Sequence, residues 1–553
     1  MSLERSMSFV SEDTRPLAAE VLLRTLRQAG VDYLVVNPGT DFPSIVEAYA
    51  REPCAEKLPR AILATHETTA VSAAHGLFLA TGKPAAVMVH VNVGLANAMC
   101  NLINASRDGI PLVLMSGRTP VTEEGRHGSR SGYIHWGQEM FDQAGMLREF
   151  VKWDYELRFP EHAGTVIRRA TEVATAVPSG PVYISLPREI LAAPARNEKA
   201  VPAAATTRSA VDPDGLRRCV DWIAAARSPV LITSASGRRR EAVEAVADFA
   251  QTARIPVVEH APRFLNMPRR HEWHGGYDPA PYLEHADLVI VLESEVPWFP
   301  GRCAPRADAK IVHVAEDPTF SSYPMRNFRS DLNLSGDVVR ALKDLAIARV
   351  GGGMVPPRRG AAEAGKDSEE LNFDSASREI ARIVDDETTI FNEYPLRLAQ
   401  CPVDAPESYF ALSTAGGLGW ALGAALGFKL GRPDRFVVVT LGDGAYVYAN
   451  PISAHTLANA ENLPILVILF NNKSYGGVQR ATLSMYAQGA AAQSAGRFLA
   501  AIEGAPDFTE VARAHGAFAE TVKDLSTLRM ALVRAKQSVL DGRQAVVNIL
   551  LNG

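Results

Sequence analysis

The stretch Phe436-Val437-Val438-Val439-Thr440-Leu441-Gly442-Asp443-Gly444 is an unbroken apolar run that ends in a Gly-Asp-Gly turn. A second run, Ile465-Leu466-Val467-Ile468-Leu469-Phe470, ends in Asn471-Asn472-Lys473-Ser474. Apolar runs without polar alternation predict strands covered on both faces, as in a parallel sheet. The interval between them holds a helix, so both carboxyl ends would emerge side by side where α/β folds bind phosphates. Gly442 and Gly444 let a backbone approach an anion, the Asp443 carboxylate is a hard oxygen ligand for Mg²⁺, and the paired asparagines add neutral oxygens. Asp443 alone would read equally well as a turn or N-cap residue. The spacing to Asn471-Asn472 gives the pattern its specificity.

Outward from this pair, similar runs recur along the whole chain. Tyr33-Leu34-Val35-Val36, Ala61-Ile62-Leu63-Ala64, Ala85-Ala86-Val87-Met88-Val89, Leu112-Val113-Leu114-Met115 and Val182-Tyr183-Ile184-Ser185 follow one another at helix-containing intervals. Val230-Leu231-Ile232, Val257-Val258, Leu288 to Leu292 and Lys310 to Val314 do the same further on. Ala192 to Ala210 and Val350 to Glu370 lack apolar periodicity and read as linkers. The expected architecture is therefore α/β, with three doubly wound parallel-sheet domains over residues 1–195, 205–348 and 366–553. The first and third have similar lengths and element orders, as duplicated domains would.

Composition excludes several classes. A net charge of −5 gives no electrostatic footprint for nucleic acid or an anionic membrane. The most apolar region, Ala85 to Met115, is broken by His90, Asn92, Asn97, Asn101, Asn104, Arg107 and Asp108, which argues against a membrane span. The five cysteines are scattered with no CxxC, as expected of reduced thiols. Met1 to Arg15 lacks the apolar core of a signal peptide, so a cytoplasmic location is expected. No G-x-G-x-x-G opens a helix after a strand, which speaks against a nicotinamide dehydrogenase.

The Gly-Asp-Gly and Asn-Asn pair resembles the diphosphate and Mg²⁺ motif of the thiamine diphosphate (ThDP) enzymes, and the resemblance extends over nearly the whole chain. It implies a pyrimidine-binding first domain, a central domain and a diphosphate-binding third domain. Gly442, Asp443, Gly444, Ala445 and Asn472 would then hold the diphosphate, with Asp443, Asn472 and the Ser474 backbone carbonyl as Mg²⁺ ligands. Thr65-His66-Glu67-Thr68-Thr69 ends a strand and opens an Ala-rich helix, Ala70 to Ala80. A Glu there also suits the helix dipole. By resemblance, Glu67 is the carboxylate that binds the aminopyrimidine and shifts it to the imino tautomer, whose nitrogen takes the C2 proton. Val91-Asn92-Val93-Gly94-Leu95-Ala96-Asn97 lies where acetolactate synthases have a Gly-Pro-Gly…Asn loop, although Asn92-Val93 departs from Gly-Pro.

Other residues point to a branch. Ala415-Gly416-Gly417-Leu418-Gly419-Trp420, which opens a second expected Ala-rich helix over Ala415 to Leu426, is similar to a stretch of benzoylformate decarboxylase. There Leu418 would wedge beneath the cofactor and Gly416 would offer its carbonyl to the amino group. Asn37-Pro38-Gly39-Thr40 resembles the same enzyme's Asn-Pro-Gly-Ser, placing the Thr40 hydroxyl near the substrate carboxylate. His90 aligns with a proton-relaying histidine, a role that an imidazole titrating near neutrality suits. His135 is a weaker candidate, and no histidine stands near Val296-Pro297-Trp298-Phe299-Pro300 for the decarboxylase's second one. The central domain, with Thr233-Ser234-Ala235-Ser236-Gly237-Arg238 offering one glycine, reads as free of FAD.

The function implied is a Mg²⁺/ThDP-dependent 2-oxo acid decarboxylase or carboligase. Ylid attack on the 2-oxo acid and loss of CO₂ would precede aldehyde release or C–C bond formation. The alternatives are an acetolactate synthase-like transferase with possible FAD binding, or a non-catalytic protein keeping the fold. The resemblance also implies a homodimer or homotetramer with active sites at the subunit interface.

Overall fold

The computed structural model describes residues 15–196, 207–348, 355–357, 370–494 and 498–551. Most of the two linkers, the N-terminal segment before Arg15 and part of the loop Leu483 to Phe498 lie outside the described residues. The chain divides into two compact units, residues 1–206 and 207–553.

The first unit is built on one sheet of β1 (Tyr33–Asn37), β2 (Arg60–Leu63), β3 (Ala85–Val89), β4 (Leu112–Arg118), β5 (Asp154–Glu156) and β6 (Val182–Pro187). Their order is β2-β1-β3-β4-β6-β5 and every pair is parallel. β3 is buried along its whole length, which is why its sequence is apolar without alternation. The core on one face joins Leu22, Leu26, Leu34, Met88, Val113 and Ile184.

The second unit carries two sheets. One holds β7 (Pro229–Thr233), β8 (Val257–Glu259), β9 (Leu288–Leu292), β10 (Lys310–Ala315) and β11 (Leu332–Ser335) in the order β11-β10-β9-β7-β8. The other holds β12 (Thr388–Glu393), β13 (Tyr409–Ala411), β14 (Phe436–Gly442), β15 (Leu466–Asn471), β16 (Phe518–Val522) and β17 (Ala545–Leu550) in the order β13-β12-β14-β15-β17-β16. These sheets are also parallel throughout. They are tied by hydrogen bonds from Ala411 N to Arg263 O (2.7 Å) and from Leu265 N to Tyr409 O (3.3 Å). The buried Arg269 is ion-paired with Glu259 at 3.1 Å and lies 4.3 Å above the Tyr409 ring.

Counted from its own first strand, the last sheet repeats the order of the first, 2-1-3-4-6-5, so the two have the same topology. In both, chain direction across the sheet reverses between the first and third strands. That crevice is the topological switch point where open α/β sheets place ligands.

Two elements differ from expectation. The helix expected at Ala70 to Ala80 begins earlier, at Glu67, and runs to Thr81, because the His66 imidazole caps it by accepting from Thr68 N at 3.1 Å. The helix expected from Ala415 starts only at Trp420 and ends at Gly431. Gly416 and Gly419 have φ of +67° and +86°, left-handed values that interrupt a helix and make 415–419 a turn.

Candidate active site

Two groups of side chains sit at the two switch points, one in each unit. In the first unit, Asp41 follows β1 and His90 follows β3. Asp41 is buried, and its Oδ1 lies 2.6 Å from His90 Nδ1 while its Oδ2 accepts from Val91 N at 3.2 Å. The side-chain amide of Gln138 meets the other ring nitrogen, Nε2, at 3.2 Å. Two glycines make room for the pair: a Cβ at Gly39 would overlap the His90 ring, and one at Gly117 would overlap the Asp41 carboxylate. The hydrogen bond to Asp41 holds the His90 pKa above its ordinary value against the opposing effect of burial, with Glu67 adding to the rise.

Glu67 is buried in the first turn of its helix. Its Oε2 accepts from Asn97 Nδ2 at 3.1 Å, and Gly94 faces its Oε1 so closely that a Cβ there would sit 3.2 Å away. Thr68 Oγ1 donates to Asn97 O, and Asn101 Nδ2 donates to Thr68 O, fastening the helix Glu67–Thr81 to Val91–Arg107. Thr40 is exposed on the turn that carries Asp41. His135 is buried, accepts from Ser131 N at 3.0 Å, and has its pKa lowered by burial, so it shapes its own loop.

In the second unit, a cavity of about 450 Å³ opens at the ends of β12, β14 and β15. Its wall gathers Gly416, Leu418, Gly442, Asp443, Gly444, Ala445, Asn472 and Ser474, whereas Asn471 lies outside it, accepting from Lys473 N and donating to Asn548. Asp443 opens the short helix Asp443–Tyr448 and is 3% exposed. Its Oδ1 accepts from Gly444 N at 2.9 Å. Its Oδ2 is buried with no hydrogen-bond partner among the described residues. Burial raises the Asp443 pKa. The N–H groups of Lys473 and Ser474, each donating to an asparagine side chain at 3.1 Å, oppose that rise from nearby. A buried carboxylate oxygen without a donor is costly unless a cation meets it, so the site fits a divalent metal. Gly444 also fits close backbone approach, since a Cβ there would come within 2.7 Å of the Tyr475 ring.

The same cavity contains residues that the sequence reading passed over. Glu393 ends β12 and Tyr394 follows it with φ +79°. Glu393 is fully buried, and its two oxygens accept from Gly419 N at 2.7 Å and Ala421 N at 2.9 Å. Burial raises its pKa to about 7. The signal for it was the short run of β-favouring residues Thr388-Thr389-Ile390-Phe391, with Glu393 two residues beyond. For Asp41 it was an acid directly after the Asn-Pro-Gly-Thr turn.

The chain matches the thiamine pyrophosphate enzyme N-terminal TPP binding domain over residues 17–146, the central domain over 216–345 and the C-terminal TPP binding domain over 393–549. The chain belongs to the thiamine pyrophosphate enzyme family. Within that family it is 28% identical over 478 residues to a benzoylformate decarboxylase of Pseudomonas aeruginosa, covering 82% of this chain and 85% of that one. It is 26% identical over 542 residues to acetolactate synthase isozyme 1 large subunit of Escherichia coli, covering 92% and 90%. The crystal structure of benzoylformate decarboxylase from Polynucleobacter necessarius shares the fold, with a TM-score of 0.83, 22% identity and coverage of 97% and 98%. Among the described residues of this thiamine pyrophosphate enzyme, no helix is long and apolar enough to cross a membrane.

Proposed function

We propose that this chain is a cytoplasmic Mg²⁺/ThDP-dependent 2-oxo acid decarboxylase or carboligase, similar in layout to benzoylformate decarboxylase. The observation that carries the reading is the partnerless Asp443 oxygen in a cavity walled by Gly416, Leu418, Gly444 and Asn472. Asp443, the Asn472 side chain and the Ser474 carbonyl would hold Mg²⁺, with Gly442, Gly444 and Ala445 cradling the diphosphate. When bound, ThDP supplies a carbanion and an electron sink for decarboxylation.

The chain's own residues then have distinct tasks. The Glu67 carboxylate would hold the aminopyrimidine, and Leu418 and the Gly416 carbonyl would help to hold the cofactor on the cavity wall. Thr40 orients the substrate carboxylate. His90, held by Asp41 at Nδ1 and favoured in its protonated form by that carboxylate, would relay a proton to the substrate.

The family resemblance further supports a homodimer or homotetramer in which one subunit supplies the Glu67 side of each site and its partner supplies the Asp443 side. The acetolactate synthase relative, which spans more of the chain, favours a second reading as a transferase. Incubation with a panel of 2-oxo acids, following CO₂ and identifying products, tests the proposal. It expects CO₂ release that needs both ThDP and Mg²⁺, with an aldehyde or its ligation product. Acetolactate from pyruvate, with a flavin absorbance band in the pure protein, would establish the transferase instead. No CO₂ from any 2-oxo acid would overturn the proposal.

A further inference from the structure

We infer that Glu393 is a positioning residue that locks the turn 415–419, and with it Gly416 and Leu418, in the shape the cofactor needs. Its geometry stands by itself, and its consequence for the cofactor rests on the proposed ThDP site.

Glu393 is 1% exposed and lies on the cavity wall. No lysine, arginine or histidine pairs with it among the described residues. A buried carboxylate without a cation is an expensive group to retain. What compensates it here is one end of a helix. Oε1 accepts from Gly419 N, Oε2 from Ala421 N, and the Trp420 N–H contributes as well. These belong to the cap and first turn of the 12-residue helix Trp420–Gly431, whose dipole favours negative charge at that end.

A neutral cap from the turn itself would satisfy the same donors at less cost. Glu393 does something a local cap cannot: it ties the helix start to the end of β12, the strand beside β14 at the switch point. The turn is thereby held on several sides. Gly419 is jammed against the backbone behind it, where a Cβ would sit 2.6 Å from Tyr448 C and O. The Tyr394 hydroxyl faces Gly416, 3.4 Å from where a Cβ would be, and Tyr394 itself adopts a left-handed conformation rare for a non-glycine residue. At the entry of the turn, Thr414 Oγ1 and the Tyr323 hydroxyl lie 3.1 Å apart. Between these holds, the residues assigned to the cofactor, Gly416 and Leu418, have little freedom. The carboxyl oxygens accept from the helix start in either charge state, and loss of such a bond shifts a local opening equilibrium by roughly tenfold or more.

The test combines hydrogen exchange of the cofactor-free full-length protein with calorimetric titration of ThDP in Mg²⁺. Glu393→Ala should speed exchange in peptides covering 415–421 about tenfold or more, leave peptides of the first sheet unchanged, and weaken ThDP about tenfold. Glu393→Gln keeps the length and one accepting oxygen, so it should rescue both readouts to within about threefold of wild type. Should Glu393→Ala not fold, Glu393→Asp, one methylene short, takes its place with the same expectation. Wild-type exchange in the truncated variant, or faster exchange with unchanged ThDP affinity, would overturn the inference. Faster exchange in a protein whose wild type binds no ThDP would instead overturn the proposed cofactor site and leave the lock standing.

Discussion

At the scale of single residues, the best-defined chemistry is the His90–Asp41 pair. A histidine with a raised folded pKa contributes stability below its unfolded value near 6.5, and that contribution is lost as pH rises through the folded value. Asp41→Asn should therefore lower the His90 midpoint seen by NMR titration, and the pH dependence of turnover should shift to lower pH with it. A midpoint that does not move would remove Asp41 from the account. Glu67→Gln should retain ThDP yet slow C2–H/D exchange by orders of magnitude, because the carboxylate acts on the pyrimidine and not on the phosphates. Exchange at the wild-type rate would return Glu67 to a helix-dipole role. His90 and Glu67 stand out in the sequence because each comes shortly after a visible apolar run, Val87 to Val89 and Ala61 to Ala64. Asp41 as the partner of His90 was not, since the contact joins residues 49 positions apart and depends on glycines at 39 and 117 whose role appears only when the loops are packed.

At the scale of elements, the parallel strands were legible wherever an apolar run was continuous, as in β3, β9, β14 and β15. β12 was missed, since Thr388-Thr389-Ile390-Phe391-Asn392-Glu393 carries polar residues that are nonetheless buried. With it went Glu393. The turn at 415–419 was read as helix because alanine and leucine dominate the stretch beyond it, and only the left-handed glycines reveal the break. The position of Glu393 carries a pH signature. Its folded pKa of about 7, against an ordinary 4.5, means that the relative stabilisation is complete below about 4.5 and is lost as pH rises through about 7. Between pH 5 and 8 the wild type should lose roughly 2–3 kcal/mol of stability relative to Glu393→Gln, measured by denaturant titration at each pH. Parallel pH curves for the two proteins would contradict the assignment.

At the scale of the whole molecule, the duplicated strand order explains why two candidate clusters occur at equivalent positions: Asp41 after strand one and His90 after strand three of the first sheet, Glu393 at the end of strand one and Asp443 after strand three of the last. ThDP chemistry requires both a pyrimidine site and a diphosphate site, and the proposed assembly supplies them from two subunits. Mixing Glu67→Gln with Asp443→Ala after dissociation and reassembly should restore activity, because half of the sites in each hybrid dimer would be intact. Absence of recovery in confirmed hybrids would rule out shared sites. The family was legible in the sequence because the expected phosphate and metal ligands, Asp443 and Asn472, directly follow long apolar runs. The substrate was not, because no run or spacing in the sequence sets the size and polarity of its pocket. The reading stands or falls on whether the buried Asp443 carboxylate receives Mg²⁺ and so secures ThDP. Calorimetric titration of ThDP into wild type and Asp443→Ala, with and without Mg²⁺, separates the possibilities. Mg²⁺-dependent binding to wild type and none to the variant is expected. Equal affinity in the two proteins, or binding indifferent to Mg²⁺, would contradict it.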